Sequence, residues 1–508
     1  MIKLLSKVSK EVYFFSLVYF LFILIGGLNY PIFRDEFYYL DCSHHLSAGY
    51  VDHPAFSIFI LKIWTTIFGE SQLSIRIIPA LLGASLLILS SLINIELGGS
   101  KYSGYLTLVC VALMPTTMAN FGFYSMNGWE IFIWTLLFYF VAKLINTQNE
   151  KYWITVSLIL GIGFNNKIGT IFLIAALVIS LVLTKERKCF KSKYFWIGAA
   201  IILISIFPYA IWNIQNNFAT KEFIDNAAKY KNADYSVLSF LKSQITDYGP
   251  ANAIFWITGL ISLIIGANKK YKLARLTFLI CLILFLFTKA KPYYTEGLYP
   301  FMVTAGAVST AAFFEKRNLT KVKYAVLIIL FLFKLVPVPI VVPVLSVDNF
   351  IIYQNLLGLN VEGSEKHTMG VLPQFYADRF GWEEMTDKIA RIYNSLPENE
   401  KKHTSIFAQN YGEAGAINYY GKKYNLPFVY CPHNNHYLWG SERNDSISTM
   451  IILGGKIEDH LKYFFTVEVL DSTSNELSMP YENNLGIFIG RNPKVSLKDI
   501  WKDLKIYI

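Results

Sequence analysis

The chain has 508 residues, of which 54% are hydrophobic and 16% charged, with a mean hydropathy of +0.38. Soluble globular chains carry about 25% charged residues, so the composition excludes an ordinary soluble domain and points to a membrane. The net charge of +10 lies in short loops between apolar runs, a pattern of membrane orientation rather than of a nucleic-acid surface, and the five cysteines form no CxxC pair or metal-ligand spacing.

Apolar runs of about 20 residues are long enough to cross the hydrocarbon core. The sequence predicts about eleven, at 12–30, 74–97, 102–123, 128–145, 152–166, 168–184, 194–213, 251–267, 273–288, 294–314 and 323–345. The expected fold class is a polytopic α-helical membrane protein over 1–345, followed by an external α/β domain over 346–508. The first run, Val12–Leu28, lacks a small-residue cleavage site and is long enough to remain as a span.

The loop 31–73 opens with "RDEFYYLDCSHHLSAGYVDHP". Asp35 and Glu36 lie just past the external end of the first span. A carboxylate there can serve as a general base on a hydroxyl, with apolar surface and a neighbouring carboxylate raising its pKa and Arg34 lowering it. The same residues can equally cap a juxtamembrane helix over 36–47, where acids near a helix N-terminus are favourable. His45 lies one helical turn from Asp41, beside His44, but no ligand set is complete. Asp52, His53 and Pro54 suit either a turn or an acceptor-positioning site. The run 56–69 is short and carries Lys62, so an interfacial or re-entrant helix is expected.

Further along, Asn127 in "SMNGWE" suits a helix N-cap, with Glu130 one turn below it. Lys167 follows Asn165 and Asn166 and divides the apolar region 152–184. It reads as a contact to a lipid phosphate, or as a lysine snorkelling to the headgroups. Lys289 and Lys291, before Tyr293 and Tyr294, are a second such group, or plain interfacial anchors.

Orientation follows from the basic loops. With Lys3, Lys7 and Lys10 in the cytoplasm, alternation places Lys185–Lys193, Lys269–Arg275 and Lys316–Lys323 inside as well, provided 56–69 does not span. The loop 31–73, the loop 214–249 and the tail after 345 then face outward, in the periplasm or outside the cell, from an inner (plasma) membrane. The tail alternates short apolar runs ("TSIFA", "PFVYC", "STMIILGG", "YFFTVEVL", "LGIFIG") with the helix-like "NYGEAGAINYYG", an α/β pattern. A disulfide between Cys42 and Cys431 is not expected.

The order of these segments resembles the family 39 glycosyltransferases of the GT-C superfamily, relatives of protein O-mannosyltransferases and of lipid A aminoarabinose transferases. The resemblance rests on Arg-Asp-Glu-x-Tyr-Tyr with a following Gly-Tyr-Val-Asp-x-Pro, "IFGESQLSIRIIPALLGA" at 67–84, "NNKIG", "PYAIWNIQNNF" and "KPYYTEGLYPFMVTAGA". "ADRFGWEEM", "NYGEAGAINYYG" and "HNNHYLWG" extend it into the tail. It implies inverting transfer of a sugar from a polyprenyl-phosphate donor to an acceptor hydroxyl of an envelope glycolipid, glycan or protein, on the external face. Carried over by position, Asp35 is the base and Glu36 shapes the site or shares its role, while Arg34, Asp52, His53, Asn127, Glu130, Asn166, Lys167, Lys291, Tyr293 and Tyr294 bind substrate. Asn127 departs from the Asp usual in such relatives, and Glu130 is the candidate substitute. No cofactor is required; a divalent ion, with His433 and His436 as further candidate ligands, is the exception to test. A flippase of a polyprenyl-linked lipid should instead carry polar residues through its spans, and a non-catalytic envelope scaffold would not need Asp35.

Overall fold

The structure is a computed structural model that describes residues 7–266, 268–359, 365–441 and 447–508; Lys3, used above for orientation, lies outside them. All eleven predicted apolar runs are helical; by length and composition fewer than eleven of these helices stand out as full crossings. Among the described residues six helices are long and apolar enough to cross a membrane. They are Lys10–Leu28, Gln72–Glu96, Met126–Thr147, Lys193–Gln215, Pro292–Lys316 and Thr320–Val341. Two bent pairs raise the number to eight: Lys101–Ala112 with Pro115–Phe121, broken by 64°, and Val237–Thr246 with Pro250–Ile265, broken by 102°. The helices Tyr152–Asn166, Thr170–Val182 and Lys272–Phe287 have 15, 13 and 16 residues. At 1.5 Å per residue they reach roughly 20–24 Å, short of a core of about 30 Å. Apolar composition marked these runs correctly as helices; their length sets them apart from the six long ones.

The Phe56–Phe68 helix is also too short to cross, at 13 residues. The expected loop 214–249 is largely helical, through Ala219–Asn226, one π turn over Ala227–Lys231, and Val237–Thr246. Gln72–Glu96 is the central element of the bundle. It packs against Lys10–Leu28 on one side and Met126–Thr147 on another, and a Ser71 side chain accepting from the Ser74 amide caps its start.

All five apolar runs of the tail form strands: β1 (Thr404–Phe407), β2 (Val429–Tyr430), β3 (Thr449–Leu453), β4 (Phe464–Ser472) and β5 (Gly486–Pro493). The sheet order is β2-β1-β3-β5-β4, with β1 parallel to β2 and β3, and β5 antiparallel to β3 and β4. Joining parallel β1 to β2 requires a crossover, and the Tyr411–Tyr420 helix supplies it.

This crossover helix carries the contact that matters for the site. It lies flush against the juxtamembrane helix Arg34–His44, because Gly415 leaves room: a Cβ there would stand 2.8 Å from Phe37 Cβ. Ile32 and Phe37 are buried in the same core as Trp382, Met385, Ile406, Ile417 and Ile451. The first loop is therefore built into the core of the tail. Burying the Phe37 ring alone is worth about 1.5–3 kcal/mol. Cys42 and Cys431 are both buried and free.

The orientation has a direct test. Lys188 is exposed in the basic turn Lys185–Lys191, whereas Asn434, an otherwise natural reporter on the tail, is only 1% exposed. Lys498, exposed near the end of the tail, replaces it. In intact cells Lys188→Cys is expected to resist an impermeant thiol reagent and Lys498→Cys to react. The reverse labelling would overturn the orientation. The native cysteines are all buried and give a low background.

Candidate active site

Asp35 and Glu36 are adjacent in sequence and have opposite environments. Glu36 is 1% exposed and saturated with donors. Arg76 gives it Nε at 3.2 Å and Nη2 at 2.8 Å, and the Phe33 and Tyr124 amides each donate at 2.9 Å. Burial pushes the Glu36 carboxyl up, but Arg76 outweighs it and the net shift is downward. Such a carboxylate is a structural counter-ion with no lone pair left for an acceptor proton. Of the two roles expected of Glu36, this environment fits shaping the site rather than sharing the base role. Arg76 also donates to the Tyr30 and Pro31 carbonyls at 2.9 and 2.7 Å, and to Gly27, so the pair clamps the first loop onto the central span. Arg76 lies inside the predicted 74–97 span. A charge in an apolar run was the signal that could have found it.

Asp35 is the open member, with 32% of its side chain exposed. Its Oδ1 accepts from the Tyr411 hydroxyl at 2.9 Å. Tyr411 opens the crossover helix just beyond the carboxyl end of β1, where open α/β sheets characteristically place ligand contacts. Asn410, whose side chain accepts from the Gly412 and Glu413 amides, fixes that helix start. The Tyr411 ring lies under two cations, with Arg34 Cζ at 5.1 Å and Lys231 Nζ at 5.8 Å from its centroid.

Arg34 is buried among Asp35 (3.8 Å), Asp378 (3.7 Å), Glu365 (3.9 Å) and the Tyr481 hydroxyl, to which it donates at 2.5 Å. Burial raises the Asp378 carboxyl to about 6, against the opposing pull of Arg34. Glu365 is the hub of the remaining charges: Lys231 and Lys291 both approach its Oε1 to 3.7 Å. Burial works to raise the Glu365 carboxyl, but Lys231, Arg34 and Lys291 hold it far below the usual carboxylate range. Lys231 is pushed down by burial despite Glu365. Lys231, Glu365, Asp378, Tyr411 and Tyr481 were not foreseen as site residues. They are ordinary polar residues of turns, loops and a helix start, and only their convergence is unusual.

The second group surrounds Lys167, which ends the Tyr152–Asn166 helix. Its Nζ donates to Glu130 at 2.7 Å and Asn127 at 2.9 Å, and lies 4.2 and 5.5 Å from the Tyr294 and Tyr293 ring centroids. Lys167 is thus buried in an ion pair and does not snorkel. Asn166 donates to the Met126 carbonyl at 2.8 Å, and Asn165 to those of Gly161 and Ser205, so the asparagines hold helices together. The N-cap of Met126–Thr147 is Ser125, which frees the Asn127 side chain for Lys167. The turn at Lys291 joins the two groups, since Lys291 faces Glu365 while Tyr293 and Tyr294 flank Lys167.

Lys167→Ala leaves Glu130 buried without its cation, so it is expected to cost about 3–5 kcal/mol of stability. Lys167→Met combined with Glu130→Gln removes both charges and should recover most of the melting temperature. If Lys167 also contacts donor phosphate, the double variant keeps a transfer deficit of about tenfold, the scale of a hydrogen bond to a charged group. Full transfer by the stable double variant would make the pair purely structural.

Other candidates are placed differently. Asp52 Oδ1 accepts from the Tyr38 hydroxyl at 2.7 Å, and His53 is buried in a tight turn closed by the Tyr50 amide on the His53 carbonyl at 2.9 Å. Asp41 meets His436 at 2.9 Å and Asn418 at 2.8 Å, joining the first loop to the tail. His44 pairs with Glu70 at 2.6 Å and His45 stacks on Trp439 at 4.2 Å. His433 is buried, hydrogen-bonded to the Ile508 carbonyl at 2.8 Å, and pushed down to about 3 by burial and by Lys231. Among the described residues no three His, Cys, Asp or Glu side chains converge as a metal site.

Residues 52–212 match the family model described as dolichyl-phosphate-mannose-protein mannosyltransferase. No curated protein matches the chain significantly. The structure superposes on crystal structures of ArnT from Cupriavidus metallidurans, apo and bound to undecaprenyl phosphate, with TM-scores of 0.62 and 0.60 at 12% and 11% identity; 94% of this chain and 97% of that one are covered. Archaeal oligosaccharyltransferase AglB from Archaeoglobus fulgidus, in complex with an inhibitory peptide and a dolichol-phosphate, gives 0.53 at 11% identity over 87% of this chain and 69% of that one. In its fold this chain of several membrane-length apolar helices is similar, over nearly its whole length, to these solved membrane glycosyltransferases of the GT-C type.

Proposed function

We propose that the chain transfers a sugar from a polyprenyl-phosphate donor to an acceptor hydroxyl on the external face of the membrane, with inversion and with Asp35 as the general base. The observation that carries this reading is the pairing of one open carboxylate, Asp35, with the buried cations Arg34 and Lys291 and the half-buried Lys231. A base and a cationic site side by side are what such a transfer uses. Asp35 takes the acceptor proton as the acceptor oxygen attacks the anomeric carbon. The bond from that carbon to the phosphate oxygen breaks, and its electron pair leaves on the lipid phosphate. The growing negative charge there is stabilised by fixed cations that need not reorganise. Tyr411 donates to Asp35 Oδ1 and orients the carboxylate, leaving Oδ2 for the acceptor.

The family match and the solved relatives named for undecaprenyl phosphate and dolichol-phosphate support a lipid-linked donor. Mass spectrometry of envelope glycoconjugates from cells lacking the chain tests the reading. A sugar modification should disappear, return with the wild-type chain, and fail to return with Asp35→Asn. Restoration by Asp35→Asn as complete as by wild type would instead favour transport or a scaffolding role.

A further inference from the structure

Glu365 occupies a position that a carboxylate fits poorly. Four cationic or potentially cationic groups surround it: Lys231 and Lys291 at 3.7 Å from Oε1, His367 at 3.7 Å and Arg34 at 3.9 Å from Oε2. All four stand beyond direct hydrogen-bond range. Among the described residues it accepts a hydrogen bond from Gln374 Nε2 at 3.0 Å. These groups come from the first loop, the 227–231 turn, the Lys291 turn and the chain beside Glu365 itself. A flat carboxylate with two oxygens cannot satisfy donors arriving from so many directions. A phosphate, with more oxygens arranged in three dimensions, can.

Its backbone is tied where it stands. Glu365 forms an isolated antiparallel bridge with Asn232, the Lys366 amide donates to the Lys231 carbonyl at 2.9 Å, and Lys366 pairs with Asp234 at 3.2 Å. Its side chain is 8% exposed, so an anion cannot share the cluster with it. Asp35 faces the same cluster through Arg34, at 3.8 Å.

We infer that Glu365 sits in the seat of the donor's phosphate group, as a tethered anion that the ligand must displace. This rests on the reading of the chain as a polyprenyl-phosphate-dependent transferase. The tether neutralises the buried cations while the site is empty. It also discriminates between anions: a free phosphate competes against a carboxylate already in place, whereas a lipid phosphate gains additional binding energy from its prenyl chain. When a competent state is only partly populated, apparent affinity falls by that fraction. Removing the competitor should therefore tighten binding.

The test measures binding of undecaprenyl phosphate, inorganic phosphate and phosphatidylglycerol to the full chain in nanodiscs. Glu365→Gln is expected to bind undecaprenyl phosphate about tenfold more tightly than wild type, and to acquire measurable inorganic phosphate binding. Unchanged or weaker undecaprenyl phosphate binding would overturn the inference and leave Glu365 as a plain counter-ion. Tightening confined to phosphatidylglycerol would overturn it too, by giving the seat to bulk lipid. Tightening confined to inorganic phosphate would overturn the assignment to a lipid-linked ligand. Should Glu365→Gln fail to fold, Gln374→Ala frees the carboxylate from its orienting hydrogen bond. That variant is expected to tighten binding by a smaller factor, and no change in it would also overturn the inference. Undecaprenyl phosphate that binds neither wild type nor variant would count against the donor assignment itself, whereas normal wild-type binding with no variant effect would count against the Glu365 inference alone.

Discussion

Asp35→Asn is expected to lower single-turnover glycosyl transfer by at least about a hundredfold, the lower scale of general-base catalysis. The change keeps size and the ability to accept from Tyr411, so the 2.9 Å hydrogen bond and the local packing persist. It removes the charge that takes the proton. Binding of a polyprenyl phosphate should change little or tighten, because one negative charge leaves the neighbourhood of a phosphate. Tyr411→Phe removes the orienting hydroxyl but leaves the carboxylate in place, so a smaller loss of transfer with unchanged donor binding is expected. Both are read in detergent or nanodiscs, with transfer and binding measured on one preparation. Near-normal transfer by Asp35→Asn would end its role as base. Asp52, with 15% of its side chain exposed, would then be the first-loop carboxylate to test.

Glu36→Gln is expected to damage folding rather than chemistry. If Glu36 only tunes its neighbour, Glu36→Gln should lower transfer less than Asp35→Asn. Its effect on stability should be the larger of the two. Glu36 receives two Arg76 hydrogen bonds and two backbone amides with 1% exposure, and breaking one side of a buried pair costs about 3–5 kcal/mol. Thermal unfolding in detergent should show a large drop in Tm and low recovery of monodisperse protein. Glu36→Gln with Arg76→Met should recover part of it, since neither charge is then left alone. A Glu36→Gln protein with normal Tm and abolished transfer would return Glu36 to the chemistry. The pH dependence has a definite sign. The folded-state pKa of Glu36 is depressed by Arg76, so its contribution is complete above the ordinary carboxylate value. It is lost as pH falls from there toward the depressed folded value, and acidification should loosen the first loop.

Much of the architecture was legible in local patterns. Continuous apolar runs identified the membrane helices, because a lipid-facing helix must be apolar over its length. Short alternating runs identified all five strands of the tail. Asp35 stood out by type and place, and the structure leaves it open. How many of these runs form helices of full membrane length was not legible, since an apolar run does not show where its helix ends.

The sequence by itself determined a membrane bundle, a mixed α/β tail and a carboxylate pair at the end of the first span. Only the tertiary structure decided which member of that pair is free. Glu36 is closed by Arg76, 40 residues away, and Asp35 is completed by Tyr411, 376 residues away. Arg34, Lys231, Lys291 and Glu365 likewise come from four distant segments of the chain and meet only in the folded structure. Local periodicity reports which side of an element is apolar. It carries no information about which polar residues of distant loops share one low-dielectric site, and there the ionisation and role of each group depend on its neighbours.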